Sequence, residues 1–341
     1  MNNFDVFIPR KRSQNLLIVE GNHEKNELFA LLFKCFPEMN IDIDDVWIYA
    51  TNIYQLYDEI VSEYGEDWYD TDVDLPFVVS KKKYPDELRY KEDFVNIVLV
   101  FDYERHDTYF SEEKILNMQK YFVDSTDVGK LYINYPMIEA YQDIAEMPDA
   151  TYIDKTVSVT VRPGARYKAL VRDKAVAKYV EFPNKLLEIM EERFEVKDKE
   201  GCNKCVDLLL SLSDDNNLED CIFEILNGVV ENKHIKTAQY QFLDKIKQCG
   251  YATQGLDYHK YMRKLFQQII YHNNQKAYRI QVDDTEIADV GYKAYFDSLN
   301  LVKILKRQNI VSRDSEDGFI WVLSTCIFLI PDYNFSLLDL E

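Results

Sequence analysis

The chain has 341 residues and a formal net charge of −20, with 47% hydrophobic and 14% aromatic side chains. That apolar content excludes general disorder, and the length divides more naturally into two domains than one. The charge argues against a grip on long duplex DNA through many phosphates, unless bases cluster locally, the substrate is small or a partner delivers it.

No apolar run is long enough to cross a bilayer. The strongest, Phe319 to Pro331, reads as a buried helix or strand. Basic residues near the N-terminus are followed by no apolar signal region, so the expected compartment is the cytoplasm and the six cysteines are expected as reduced thiols. Cys202 and Cys205 have the spacing of half a zinc site, but Cys221, His234 and Cys249 are scattered singly and supply no second pair.

From Asn15 to about Asp143, short β-rich runs alternate with helical patterns, the signature of a largely parallel sheet covered by helices. Leu16 to Val19 is a continuous apolar run, as in a strand buried on both faces. A helix follows from Asn22, its expected cap, with Leu28, Leu31, Leu32 and Cys35 on one stripe. Val46 to Ala50 is the second strand, and the helix after it stops at Gly65. Glu66 to about Asp93 reads as a polar, acidic insertion in which Lys81 to Lys83 lie on a solvated loop. Val95 to Phe101 is the third strand, and Ser111-Glu112-Glu113-Lys114 starts a helix with a capping-box-like pattern. Leu131 to Ile133 is a fourth strand, with Pro136 in the first turn of another helix. A brief strand lies near Val157 to Val161, and beyond Lys168 helical periodicity dominates. The expected organisation is an α/β domain over residues 1–150 and a mainly helical domain over residues 151–341.

Two acidic groups fall at strand ends, where parallel α/β sheets bind ligands. Glu20 and Gly21 end the first strand and Glu24 lies on the first helical turn; Asp102 and Glu104 end the third. Residues two apart on an extended chain point the same way, so Asp102 and Glu104 are expected to face one pocket. Converging carboxylates suit Mg²⁺ or Mn²⁺, which take oxygen ligands and can stabilise charge on phosphoryl oxygens. His23 and His106 flank these groups, either as phosphate contacts or proton donors or as exposed loop residues. Arg105 and Lys25 are candidates for holding a phosphate, or solvated surface charges.

Glu-Gly-x-x-Glu after an apolar strand, then Asp-x-Glu after a later one, resembles the Toprim domain of topoisomerases, primases, overcoming-lysogenization-defect nucleases and small bacterial anti-phage nucleases. The resemblance covers about residues 15 to 143. It implies that Glu20 acts as general acid or base and contributes to the metal site, and that Asp102 and Glu104 bind the metal. Glu104 stands where the family has Asp, which shifts the metal by about one methylene. Asn134-Tyr135-Pro136 before Glu139 is a further likeness, by which Glu139 joins the pocket; alternatively Glu139 is an ordinary acid in a helix's first turn.

The expected function is a Mg²⁺-dependent nuclease acting on DNA or RNA, plausibly an anti-phage effector. The alternative is a Toprim-fold binding module, weak or inactive in catalysis, that docks a partner such as an ATPase sensor through its helical half. A phosphotransfer fold with Asp102 as acceptor ranks behind both, because Lys130 precedes a strand instead of ending one. Hydrophobic helices in the second half leave a homodimer open, and no membrane partner is expected.

Overall fold

The first sheet is centred on three strands whose largely apolar residues are buried on both faces and so must be covered on both sides, while its edge strands are short and more exposed. The computed structural model describes residues 13–161, 165–213, 217–282 and 291–339. Strand β1 (Ser13–Val19) lies beside β2 (Val46–Ile48) and β3 (Phe94–Asp102); β4 (Val123–Asp124) and β5 (Gly129–Asn134) complete the order β2-β1-β3-β5-β4. Pairing is parallel except between β4 and β5. Register aligns Val19 with Val100 and Asp102 with Asn134, so the carboxyl ends of β1, β3 and β5 finish close together.

The chain runs from β1 outward to β2, then crosses back to β3 on the other side of β1. Connections therefore diverge between β1 and β3, which opens a crevice at their carboxyl ends.

The helix after β1 begins as a π-helical segment, Glu24–Phe29, and continues as α1 (Ala30–Cys35); Leu28, Leu31, Leu32 and Cys35 are buried as the stripe required. Asn22 does not cap it: His23 holds the cap position without a side-chain bond. Helix α2 (Ile53–Tyr64) is capped by Asn52 and stops at Gly65, whose φ of 88° is in the region that favours glycine.

The acidic insertion is more ordered than its composition suggested. It contains α3 (Leu75–Lys83), capped by Asp74, and Lys81 to Lys83 form its last turn instead of a loop. Lys81 pairs with Glu63 at 2.6 Å and Lys82 pairs with Glu59, tying α3 to α2. The buried Leu75, Val78 and Val79 were hidden in the sequence by the flanking charges. Helix α4 (Glu112–Tyr121) starts at Ser111 as expected, with the serine side chain accepting from the Lys114 amide. After β5 the expected α-helix is a 3₁₀ turn, Ile138–Gln142.

The second half opens with β6 (Thr156–Ser158). Then come α5 (Ala165–Val171), α6 (Ala175–Glu188), α7 (Lys199–Leu210), α8 (Leu218–Leu226), α9 (Ile235–Cys249), α10 (Tyr258–Val282), α11 (Tyr292–Asp297) and α12 (Leu301–Val311). The apolar run near the C-terminus divides between β7 (Phe319–Trp321), which pairs with β6, a 3₁₀ turn and α13 (Leu329–Tyr333). Cys202 and Cys205 are buried in α7, with Cys205 Sγ 3.7 Å from the Ile225 carbonyl.

The end of the chain returns to the sheet. Tyr135 and Leu323 exchange backbone hydrogen bonds of 2.8 Å, and Thr325 donates to the Ile133 carbonyl at 2.8 Å. Ser324 Oγ donates to the buried Asn134 side chain at 3.2 Å, and the Cys326 amide donates to the same oxygen at 3.4 Å. Buried residues of both halves form one continuous hydrophobic cluster.

Asn134→Ala leaves those two buried donors without their acceptor, which costs about 1–3 kcal/mol. Urea denaturation is expected to show a lower midpoint with an unchanged slope; an unchanged midpoint would remove Asn134 from the lock between β5 and the returning segment.

Candidate active site

Beyond the ends of β1, β3 and β5 lies a cleft of about 460 Å³, lined by Glu20, Gly21, Asn22, His23, Glu24, Asp102, Glu104, His106, Asp107, Met137, Ile138 and Lys168. The strand-end acids Glu20, Glu24, Asp102 and Glu104 thus share one cavity, flanked by both histidines. Glu20 is half-buried, and its Oε2 accepts from the Asp102 amide at 3.4 Å, joining the ends of β1 and β3. Glu24 is buried and accepts from the Gly21 amide at 2.9 Å. A Cβ on Gly21 would lie 3.2 Å from that carboxylate oxygen, a tight contact that the Glu24 side chain would relieve by shifting a few tenths of an ångström.

Glu104 reaches the cleft by a route the sequence did not suggest. The extended chain ends at Asp102, and Glu104 has φ of 41°, in the left-handed region. A non-glycine residue held there is strained, a feature that clusters at functional sites. Tyr103 between them turns into the core, where its hydroxyl donates to Asn309 at 2.7 Å and lies 2.9 Å from Ser312 Oγ.

Glu139 is 3% exposed and lies behind the cleft wall. Its carboxylate is 3.0 Å from His23 Nε2 and 2.8 Å from Lys168 Nζ. His23 Nδ1 is in turn 2.9 Å from Glu27. Burial alone would lower the His23 pKa, but the two carboxylates raise it to about 9, so the imidazole is cationic at neutral pH. Burial opposes ionisation of Glu139 as well, yet its bonds to His23 and Lys168 hold its carboxyl below the ordinary range.

No ion pair among the described residues engages Glu20, Glu24, Asp102 or Glu104. Burial first, then the Glu104 and Glu24 charges, push Glu20 well above the usual carboxylate range. Burial, then Glu20 and Glu24, do the same to Asp102. Glu24 is raised chiefly by burial, and Glu104 is pushed up to about 7 by burial and by Asp107. Asp102 Oδ1 is buried without a hydrogen-bond partner.

Arg105 lies over the Phe110 ring, 4.4 Å from its centre, and Lys25 donates to the Val46 carbonyl at 2.9 Å. Neither lines the cleft. Sequence reading missed Asp107 and Lys168 as lining residues. Asp107 follows Asp102 within one acidic loop, a usable signal; Lys168 comes from α5, and no spacing connects it to the strand ends.

The donor set suits a hard cation: all oxygen, anionic, with one buried oxygen unpartnered. No three His, Cys, Asp or Glu side chains among the described residues are arranged as a ready-made metal-holding group. The fit therefore rests on donor type and charge, and Mg²⁺, which keeps several waters and uses one or two protein carboxylates, requires no preformed cage. No protein-family model, curated protein or solved structure matches the chain.

Between the ordinary glutamate pKa of 4.5 and about 7, folded Glu104 holds a proton that the unfolded chain releases. Glu20 and Asp102 act in the same direction. More protons bound in the folded state means that stability falls as pH rises through this window. His23 has the opposite timing: its stabilisation is complete below its ordinary value of 6.5 and is lost only as pH passes about 9. With a chelator present, the melting temperature is expected to fall from about pH 5 to pH 7, with a shallower fall in Glu104→Gln. A flat or rising profile would show that the carboxylates are not mutually strained.

Proposed function

We propose that the cleft is a Toprim-type active site for Mg²⁺-dependent hydrolysis of nucleic-acid phosphodiesters. The observation that carries this reading is the convergence of Glu20, Asp102 and Glu104 at the switch point of a parallel sheet, with Asp102 Oδ1 unpartnered and, among the described residues, no cation in an ion pair with these three. Asp102 and Glu104 would hold the ion, with Glu20 beside them. A bound Mg²⁺ supplies charge stabilisation to phosphoryl oxygens and to the attacking and leaving oxygens.

Glu20 is suited to proton transfer, because burial and then the neighbouring Glu104 and Glu24 charges raise its pKa well above the usual carboxylate range, the direction that helps a carboxyl hold and release a proton in catalysis. A divalent ion would lower that pKa again, favouring the carboxylate as the base that receives a proton from water. The Gly21 turn and Glu24 fix the loop that carries Glu20. His23 and Lys168, the cations of the cleft lining, are offset by Glu27 and Glu139 and so make this wall less repulsive than the rest of the cavity to an approaching phosphate.

Glu20→Gln is expected to abolish Mg²⁺-dependent cleavage of oligonucleotides, with the melting temperature unchanged or raised by relief of repulsion. Loss of folding instead would make Glu20 structural. Mg²⁺ at a hundredfold excess over its Kd is expected to stabilise the wild-type chain by about 2.7 kcal/mol, and Asp102→Asn should lose that gain. Absence of both cleavage and metal stabilisation in the wild type would overturn the nuclease reading in favour of a partner-binding cleft.

A further inference from the structure

The cleft has one basic residue in its lining from the helical half, Lys168, and basic character continues away from it. Arg172 donates its amide to the Lys168 carbonyl at 3.0 Å, which places Arg172 one turn beyond Lys168 on the same face. The Lys174 amide then bonds the Val171 carbonyl at 2.8 Å, and the Lys178 amide bonds the Lys174 carbonyl at 3.1 Å. Lys174 and Lys178 again share a face.

Arg172 and Lys178 line a second concavity of about 690 Å³, together with Lys185, Lys245, Tyr179 and Phe182. Residues 165 to 185 contain six bases (Arg166, Lys168, Arg172, Lys174, Lys178, Lys185) against two acids (Asp173, Glu181), in a chain of net charge −20. Lys185 is held by Glu181 and Glu188 at 3.2 and 3.0 Å. No ion pair among the described residues engages Arg166, Arg172, Lys174 or Lys178, and Arg166, Arg172 and Lys178 are exposed. Unpaired cations concentrated here, on a protein whose overall field repels nucleic acid, mark a local anion path.

We propose that the α5–α6 surface binds the sugar-phosphate backbone of a single nucleic-acid strand as it leaves the cleft, with phosphates on Arg172 and Lys178 and a base against Tyr179. The proposal rests on the reading of the cleft as a phosphodiester site. A single strand fits better than a duplex for two reasons. Asp173, Glu181 and Glu188 line the same concavity as the bases, so the basic surface is narrow and suits one phosphate strand more than two. A half-buried tyrosine in the concavity offers a stacking surface only to unpaired bases.

The test uses labelled DNA and RNA single strands of about 20 nucleotides, and the corresponding DNA duplex. Anisotropy is read across a salt series in a Glu20→Gln background that prevents cleavage. Single strands are expected to bind more tightly than the duplex, and the relative affinities of the two single strands identify the sugar. Arg172→Glu with Lys178→Glu is expected to weaken single-strand binding at least tenfold and to reduce the salt slope by about two. The pair Arg172→Lys with Lys178→Arg should bind like the parent, and the melting temperature of the reversed variant should match it. Parent-like binding by the charge-reversed protein, or preference for the duplex, overturns the proposal. Hydrolysis of bis(4-nitrophenyl) phosphate by the otherwise wild-type chain reads the cleft separately. If that hydrolysis is absent while charge reversal still abolishes strand binding, the path stands and the cleft reading falls. If hydrolysis proceeds while binding ignores the reversal, the path falls and the cleft reading stands.

Discussion

The constraint on which the rest depends is the packing of like charges into one crevice. Glu20, Glu24, Asp102, Glu104 and Asp107 line the same cavity, and most are shifted toward protonation by burial and by each other. Two like charges about 4 Å apart repel by roughly 4 kcal/mol at an effective dielectric of 20, so such a cluster persists only where surrounding structure enforces it. Parallel strand ends joined by the Glu20–Asp102 hydrogen bond provide that enforcement, and the left-handed Glu104 adds a further strained position.

Compensation is selective. Glu139, a buried acid beside the cleft, is paired with His23 and Lys168, while no ion pair among the described residues engages Glu20 or Asp102. The difference separates a structural carboxylate, which needs its counter-ions in place, from carboxylates left available for an exogenous cation. The same clamp joins the loop after β1, the 3₁₀ turn after β5 and α5. It therefore brings the helical half into the wall of the cleft and starts the basic path along α5 and α6. A net charge of −20 would not by itself forbid the proposed strand contact, because the bases are concentrated on one surface and screening limits the reach of the distant acids to about a Debye length.

The returning C-terminal segment has a related role. Ser324, Thr325 and Cys326 satisfy polar groups at the end of β5, and Leu323 pairs with Tyr135 just before the turn that carries Glu139. Buried backbone and side-chain polar groups at a strand end need partners, and here residues nearly two hundred positions away supply them. The cleft end of the sheet is thus held by both halves of the chain.

Apolar runs and their punctuation determined much of the fold: Leu16 to Val19, Ile97 to Phe101 (within the expected run from Val95) and Leu131 to Ile133 are buried as inner strands, and the acids following the first two therefore fall at carboxyl ends. That was enough to group Glu20, Glu24, Asp102 and Glu104, because strand direction in a parallel sheet places such ends on one side. Local signals also set the starts of α2 and α4, where Asn52 and Ser111 cap the helices. Long-range packing decided what local pattern could not express. It made α3 from a stretch dominated by charge, replaced the helix expected after Pro136 with a 3₁₀ turn, turned Glu104 through a left-handed backbone, and carried Lys168 to Glu139. Each of these outcomes depends on contacts between segments far apart in the chain, and their energies have no counterpart in the spacing of neighbouring residues.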